Sequence, residues 1–326
     1  MRDHGGNLDV AMRHYGGTPD EWIDLSTGIN RQPYKVPSIE PAAWTALPTS
    51  GALAALIGAA RAAYGTQGRV LPLAGAQAAI QMIPRLAAPG RARIVAPTYN
   101  EHAAALRDMG WQVEEVSTPE ALAGADLAVI VNPNNPDGRQ VEPNRLLALL
   151  PLVGRLVVDE SFVDPTPALS LAPQAGRDGL IVLRSFGKFF GLAGLRLGFA
   201  LASAADTAAL AQLAGPWPVN GPALQIGASA LADTAWVAAT RLRLRAETGR
   251  MDALAAEAGW HLAGGTALFR LYETPDAAQA QRRLAHARIW SRIFPYSAHW
   301  LRLGLPGSEA EWARLAQVLT EAPHAI

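Results

Sequence analysis

The sequence predicts an α/β fold, in which helices flank a mostly parallel central sheet and a smaller α+β domain follows. Between about residues 51 and 216, apolar segments of strand length alternate with segments of helical periodicity. Such alternation is typical of a parallel sheet with right-handed crossovers. The run Leu127–Val131 is continuously apolar, as expected for a strand buried on both faces. After about residue 258 the alternation is lost, which indicates a separate, smaller domain.

The individual elements follow from hydrophobic periodicity, with glycine and proline marking their ends. Residues 1–50 are expected to form an irregular arm with one short element near 23–25. The predicted helices span 52–64, 76–86, 101–109, 144–150, 221–258, 277–287 and 309–320. The predicted strands span 93–96, 111–116, 127–131, 156–158, 180–183, 197–201, 268–271 and 300–303. We therefore expect an N-terminal arm (1–44) that packs on the small domain, a large domain (45–225) and a small C-terminal domain (226–326).

Composition excludes several classes of protein. The 326 residues carry 28 basic and 28 acidic side chains, so no net charge favours binding to nucleic acid or to an anionic membrane. The absence of cysteine excludes disulfides, thiolate catalysis and cysteine-ligated metals. The first residues lack the apolar segment of a signal peptide, and no apolar run is long enough to span a bilayer. We expect a cytoplasmic protein without a metal.

Ligands of open α/β sheets bind at the carboxyl ends of the strands, so polar residues that follow predicted strands mark a candidate site. At residues 73–77 a glycine turn enters a helix, where free N–H groups either bind an anion or simply close the turn. Residues 132–138, Asn-Pro-Asn-Asn-Pro-Asp-Gly, form either an ordinary turn or part of a site. Asp159 and Glu160 end a buried strand, where a carboxylate is costly unless it is paired with a cation of the protein or of a ligand.

Three basic residues complete the set. Only two of the 28 basic residues are lysines, and one of them, Lys188, follows the strand predicted at 180–183. A lysine amine can condense with an aldehyde, whereas a guanidinium stays protonated. Arg196 could neutralise a phosphate, while Arg302 either points into a cleft or lies on the surface of an edge strand. Together with the anion site, the asparagines and Asp159, these residues match the needs of pyridoxal 5′-phosphate (PLP).

The same residues, in order, resemble the fold-type I family of PLP-dependent enzymes, which includes aspartate and histidinol-phosphate aminotransferases. The resemblance covers about residues 47–304. It implies that Lys188 bonds to the cofactor aldehyde, Asp159 pairs with the pyridinium nitrogen, Asn135 with the phenolic oxygen, and Tyr99 stacks on the ring. It also implies a phosphate site and a substrate carboxylate site. The residues assigned to the phosphate are Ala76, Gln77, Ser185 and Arg196, and the residue assigned to the carboxylate is Arg302. Gly75, in the same motif as Ala76 and Gln77, is also expected to bind the cofactor.

Two positions depart from the aminotransferases of this family. Phe162 stands where they usually carry a tyrosine that bonds the phenolic oxygen, and Leu47-Pro48 stands where a tyrosine reaches the cofactor phosphate of the neighbouring subunit. The arm, with His4-Gly5-Gly6-Asn7 and residues 24–30, is instead similar to the opening of the threonine-phosphate decarboxylases of cobalamin biosynthesis. That branch implies decarboxylation of L-threonine O-3-phosphate. The residues expected to contact its phosphate or carboxylate are His4, Gly5, Gly6, Gly28, Ile29, Asn135 and Arg302.

Alternatives of two classes remain at this point. A histidinol-phosphate-type aminotransferase would use the same cofactor residues. A binding module without catalytic activity, such as the effector domain of a transcriptional regulator, is disfavoured because Lys188 is present and no basic helix-turn-helix segment is attached. The family resemblance also implies a homodimer. The histidines, among them His102, have no metal-ligand spacing and are interpreted as structural or solvated.

Overall fold

The computed structural model of the protein describes residues 5–320, whose strands and helices are as follows. The strands are β1 (Ile23–Asp24), β2 (Arg69–Leu73), β3 (Arg91–Val95), β4 (Gln112–Val116), β5 (Leu127–Val131), β6 (Leu156–Asp159), β7 (Leu180–Ser185), β8 (Gly198–Ala202), β9 (His261–Thr266), β10 (Phe269–Glu273), β11 (Ile289–Trp290), β12 (Arg292–Phe294) and β13 (Ser297–Gly304). The helices are α1 (Leu8–Tyr15), α2 (Ala42–Thr45), α3 (Ser50–Tyr64), α4 (Ala76–Met82), α5 (Asn100–Asp108), α6 (Pro143–Leu147), α7 (Phe186–Phe189), α8 (Ala204–Ala214), α9 (Gly221–Ala232), α10 (Thr234–Glu257), α11 (Ala277–His286) and α12 (Glu309–Thr320). Short 3-10 helices lie at Pro19–Glu21, Ile83–Arg85, Glu120–Leu122, Leu150–Leu152, Pro167–Leu169, Ala172–Gln174 and Ala193–Leu195.

The described chain divides into two units. One comprises residues 5–33, 136–138 and 238–320, and the other comprises Tyr34–Asn135 and Arg139–Val237. The domain boundaries expected after residues 44 and 225 stay predictions. No described helix combines the length and the apolar character that are needed to cross a membrane.

The larger unit is built on a seven-stranded sheet with the order β2–β8–β7–β6–β5–β3–β4. The pairs β7–β6, β6–β5, β5–β3 and β3–β4 are parallel, whereas β8 is antiparallel to both of its neighbours. The predicted α/β class with a mostly parallel sheet is thus confirmed. Every residue of β5, β6 and β8 is buried, because helices cover both faces of the sheet centre.

The smaller unit is of the α+β kind, as expected. Its antiparallel sheet has the order β12–β13–β10–β9, and β1 pairs with β11 in a separate parallel ribbon. The short element predicted near residues 23–25 is β1. Through this ribbon the N-terminal residues of the unit are joined to its C-terminal residues.

The expectation of an irregular arm was wrong for residues 8–15, which form α1. Its apolar residues Leu8, Ala11, Met12 and Tyr15 recur at helical spacing, and Ala11 is fully buried against Trp22. The apolar pattern was present in the sequence, but two helical turns among glycine-rich neighbours are too short to be recognised as a helix. The helix is stabilised mainly by this packing, since an isolated helix of eight residues is marginal in water.

Other differences have local causes. The single helix predicted over 221–258 is two helices, because Asp233 interrupts it and its side chain caps α10 by accepting from the N–H of Trp236 at 2.9 Å. Strand β2 was missed because it contains Pro72, which an edge strand tolerates. Helix α8 and strand β9 were also missed.

A buried ion cluster joins β7 to the segment after β6. Nη1 of Arg184 lies 3.1 Å from Oε2 of Glu160, and its Nη2 contacts Asp164. All three residues are buried, and burial raises the pKa of Glu160 although Arg184 opposes that shift. Glu160 therefore belongs to a structural ion pair. This was one of the two alternatives that the sequence allowed for the adjacent carboxylates of Asp159 and Glu160.

We expect the Arg184→Met variant to lose about 3–5 kcal/mol of unfolding free energy, because it removes the cation facing two buried carboxylates. Urea denaturation followed by circular dichroism measures this loss. The control is Arg145→Met, which breaks an exposed pair with Glu120 and should leave stability nearly unchanged. Equal stability of the two variants would contradict the prediction.

Candidate active site

The carboxyl edge of the central sheet gathers the predicted polar residues. Strands β5, β6 and β7 are adjacent and parallel, and Val131, Asp159 and Leu183 are paired in register across them. The Asn-rich turn after β5, Asp159 at the end of β6 and the turn carrying Lys188 after β7 therefore share one edge.

A cavity lies at this edge, wholly within the larger unit. It brings together all the residues that the resemblance assigned to the cofactor, together with mostly apolar neighbours. Its lining comprises Gly75, Ala76, Gln77, Ile80, Tyr99, Val131, Asn135, Asp159, Ser161, Phe162, Ser185, Gly187, Lys188, Ala193, Arg196 and Leu197. The structure thus assembles residues that are more than 100 positions apart in the sequence, although their individual roles stay predictions.

Asp159 is an ionised carboxylate held by three hydrogen-bonding contacts. It is 2% exposed, its Oδ2 lies 2.9 Å from Nε2 of His102, and its Oδ1 accepts from the N–H and the hydroxyl of Ser161 at 2.9 and 2.5 Å. Burial alone would raise the pKa of Asp159, but the hydrogen bond and charge of His102 and the bonds from Ser161 lower it below its ordinary value. A buried anion of this kind can face a cation inside the cavity.

His102 is a residue of the site that the sequence did not reveal. Of its two interpretations, structural and solvated, the second was wrong, because the imidazole is 3% exposed and contacts Asp159. It lies in α5, three positions after Tyr99, so that both face the same side of the helix start. The spacing of three residues from Tyr99, in a helix that follows a predicted strand, was the only signal in the sequence that could have placed His102 at the site.

Tyr99 forms one wall of the cavity. It precedes the first residue of α5, and its hydroxyl donates to Oε1 of Gln77 at 3.2 Å. Burial raises the pKa of Tyr99 to about 12, with the negative charges of Glu101 and Asp159 adding to the shift and Arg196 opposing it. The phenol is therefore neutral and presents an aromatic face at physiological pH.

The opposite end of the cavity is suited to an anion. Gly75 has a φ of +82°, and α4 begins at the next residue. A Cβ at Gly75 would lie 2.9 Å from Nη2 of Arg196, so only glycine lets the guanidinium approach the turn this closely. Arg196 is itself in the left-handed region (φ 55°) and donates from Nη1 to the carbonyl of Ala193 at 3.1 Å.

In the asparagine-rich turn after β5, two asparagines stabilise the local structure and a third lines the cavity. Asn132 exchanges two hydrogen bonds of 2.9 Å with the backbone of Val141. Asn134 accepts from the Thr98 hydroxyl at 2.6 Å and donates to the carbonyl of Pro97 at 2.9 Å. Asn135 lines the cavity, so both alternatives that the sequence allowed for this turn apply, each to different residues.

Lys188 reaches the cavity from α7, and its Nζ lies 5.7 Å from the ring centroid of Phe162. Phe162 is buried, so an apolar ring stands beside the amine at the position of the family's tyrosine. Leu47, at the other position that departs from the family's aminotransferases, is 65% exposed, and nearby Trp44 is 68% exposed.

Apart from Asn135, the described residues that were expected to bind substrate lie in the smaller unit. Arg302 is buried, donates from Nη2 to the carbonyl of Ser26 at 2.7 Å, and the hydroxyl of Ser26 accepts from the N–H of Gly6 at 2.7 Å. Arg302 is thus not a surface residue of an edge strand. Burial lowers its pKa to about 10, and the neighbouring charge of Arg292 adds to this. Of the remaining predicted residues, Gly5 and Ile29 are half-buried, Gly28 is buried, and His4 lies outside the described residues.

The sequence matches the profile of the family "Aminotransferase class I and II" over residues 48–319. It is 48% identical to the threonine-phosphate decarboxylase of Pseudomonas aeruginosa, covering 98% of this chain and 97% of the relative. A threonine-phosphate decarboxylase of Sinorhizobium sp. is 45% identical, with 97% of each chain covered.

More distant relatives have another activity in their names. A histidinol-phosphate aminotransferase of Mycobacterium bovis is 33% identical over 78% of this chain and 73% of its own. In fold, the chain is similar to the crystal structure of histidinol-phosphate aminotransferase from Sinorhizobium meliloti in complex with pyridoxal-5′-phosphate, with a TM-score of 0.79, 19% identity, and 97% and 94% of the two chains covered. The chain belongs to the aminotransferase class I and II family.

Proposed function

We propose that the protein decarboxylates L-threonine O-3-phosphate to (R)-1-amino-2-propanol O-2-phosphate and CO₂ in cobalamin biosynthesis. The observation that carries this proposal is the 48% identity, over nearly the whole chain, to a threonine-phosphate decarboxylase. Phe162 supports it as well, because it stands where the family's aminotransferases usually carry a tyrosine.

The cofactor is PLP, and the donor set of the cavity fits it. An amine, an anionic carboxylate, an amide and an aromatic wall surround the space, and a glycine turn beside Arg196 forms a cradle that a Cβ would fill. Ser185, Arg196 and the backbone N–H groups of Ala76 and Gln77 would hold the phosphate. When bound, PLP supplies an electron sink for the electron pair left on the substrate α-carbon as a bond to that carbon breaks.

Asp159, held by His102, keeps one part of the cavity wall negatively charged. The lowered pKa of Asp159 means that its carboxylate stays ionised at neutral pH, where it can pair with a protonated ring nitrogen. His102 orients this carboxylate, and Ser161 occupies its second oxygen. These contacts with other protein groups hold the carboxylate in place, so little reorganisation is needed during the reaction.

Lys188 acts at the reacting side, whereas Asn135 would pair with the phenolic oxygen of the cofactor. The Lys188 amine would hold the cofactor through its aldehyde. The bond between the α-carbon and the carboxylate then breaks, CO₂ leaves, and Lys188 Nζ delivers a proton to the α-carbon. Which bond breaks depends on how the substrate is oriented, so residues that hold its carboxylate and phosphate select decarboxylation over transamination. Arg302, His4 and the glycine turns at 5–6 and 28–29 are the proposed holders of these two groups.

The test is an assay with purified protein, PLP and threonine phosphate without any 2-oxo acid. We expect stoichiometric release of CO₂ and of 1-amino-2-propanol phosphate, because decarboxylation needs no amino acceptor. Turnover that occurs only when 2-oxoglutarate is added, or only with histidinol phosphate, would support the aminotransferase alternative instead. A homodimer and a cytoplasmic location, both expected from the sequence, stay predictions.

A further inference from the structure

Three side chains of the larger unit form a polar chain that ends at the cavity wall. Tyr99 donates to Oε1 of Gln77 at 3.2 Å, and Nε2 of Gln77 donates to Oε2 of Glu101 at 3.1 Å. Glu101 is 7% exposed and stands in the first turn of α5. A carboxylate so deeply buried is costly to a fold unless a specific contact compensates for it.

The chain has a defined direction. The carboxylate oxygen of Glu101 accepts a hydrogen bond, so Glu101 turns the NH₂ group of the Gln77 amide toward itself. The amide oxygen then faces Tyr99, and the phenol must donate to it. Glu101 in this way determines both the orientation of the amide and the position of the phenolic proton, although it does not line the cavity itself.

The backbone also favours an anion at this position. Glu101 is the second residue of α5, where the helix dipole stabilises negative charge, and α4, which carries Gln77, packs against α5. Gln77 is the second residue of α4 and lines the cavity beside Gly75 and Ala76. The amide is thus held between two helix starts, one of which borders the anion end of the cavity.

We propose that Glu101 is a positioning residue for cofactor binding, which acts through Gln77 to hold the ring of Tyr99 at the cavity wall. The inference rests on the proposed function, since it takes PLP as the ligand of this cavity. It also gives the Gln77 side chain a role in this polar chain and leaves its backbone N–H for the phosphate.

The first experiment measures PLP affinity of the apoprotein by quenching of tryptophan fluorescence, without substrate. Glu101→Gln should bind PLP about 3–10-fold more weakly, the factor expected when one buried hydrogen bond loses its fixed direction. The pKa of Tyr99, followed by ultraviolet titration, should fall in this variant because a negative charge beside the phenol is gone. The control Asp108→Asn removes an exposed negative charge from the same helix and should change neither value.

The second experiment is a mutant cycle on the same affinity. Tyr99→Phe and Glu101→Gln should be coupled when Gln77 is present, so that the double variant binds PLP about as well as Tyr99→Phe alone. In the Gln77→Met background the coupling should vanish, because the connecting amide is absent. The single variant Gln77→Met also breaks the polar chain, and it should weaken PLP binding by a similar factor even if Glu101→Gln does not fold.

Unchanged PLP affinity in a folded Glu101→Gln protein would overturn the proposal. Purely additive effects of Tyr99→Phe and Glu101→Gln would overturn it as well, because Glu101 would then act independently of Tyr99. Failure of the parent protein to bind PLP at all would instead refute the proposed function. A parent that binds PLP but turns over another substrate would leave the positioning role of Glu101 intact.

Discussion

The Lys188→Ala variant should lose decarboxylation by roughly 10⁴-fold or more and should form no covalent adduct with PLP. Lys188 reaches the cavity, and in the proposed mechanism it supplies both the amine for the cofactor aldehyde and the proton for the α-carbon. Borohydride reduction of the parent protein followed by mass spectrometry should place the adduct on the peptide that contains Lys188. The absorbance of the bound cofactor in the near-ultraviolet and visible range should be lost in the variant.

The sequence offers a matched control, because Lys35 is the only other lysine of the chain. It is exposed, and Lys35→Ala should retain the adduct and full activity. An adduct at Lys35, or a Lys188→Ala protein with parental activity, would refute the assignment of the site.

The Asp159→Ala variant should retain PLP and lose activity by roughly 10²–10³-fold, the loss expected when one preorganised charge is removed. Its carboxylate is the buried anion of the cavity and is kept ionised by His102 and Ser161. Steady-state rates of CO₂ release, with bound PLP measured separately, distinguish a catalytic loss from cofactor loss.

Glu160→Gln is the matched control for Asp159, since it alters the adjacent buried carboxylate. Glu160 contacts Arg184, Ser170 and the N–H of Leu171, none of which lines the cavity. This variant should be less stable to urea but should keep its rate within a few-fold. A folded Glu160→Gln protein as inactive as Asp159→Ala would contradict the different roles given to the two carboxylates.

Much of the site was predictable because strand ends can be recognised locally. A continuously apolar run such as Leu127–Val131 identifies a central strand, and in a parallel sheet the residue after such a strand lies at the binding edge. Asp159 and Lys188 were located in this way, and the structure places both in one cavity. The order of these motifs along the chain then indicated the family.

The contacts among side chains could not be predicted in the same way. His102 and Asp159 are 57 positions apart, and the Tyr99–Gln77–Glu101 chain joins two helices. Whether a histidine or glutamate is solvated or buried depends on which helix face meets the sheet, and its own neighbours in sequence do not reveal this. Helix α1 shows the same limit of local patterns, because its short apolar face matters only once it is buried with Trp22.

By itself, the sequence determined the α/β class, the cofactor chemistry and the residues at the strand ends, because these follow from periodicity and from the chemical types of single residues. Only the tertiary structure decided between the two adjacent carboxylates, directing Asp159 to the cavity and Glu160 to Arg184. Successive residues at a strand end point to opposite sides, and which side holds the ligand is set by packing across the whole sheet. The charge state and the hydrogen-bond direction of each group in turn depend on partners that folding brings together.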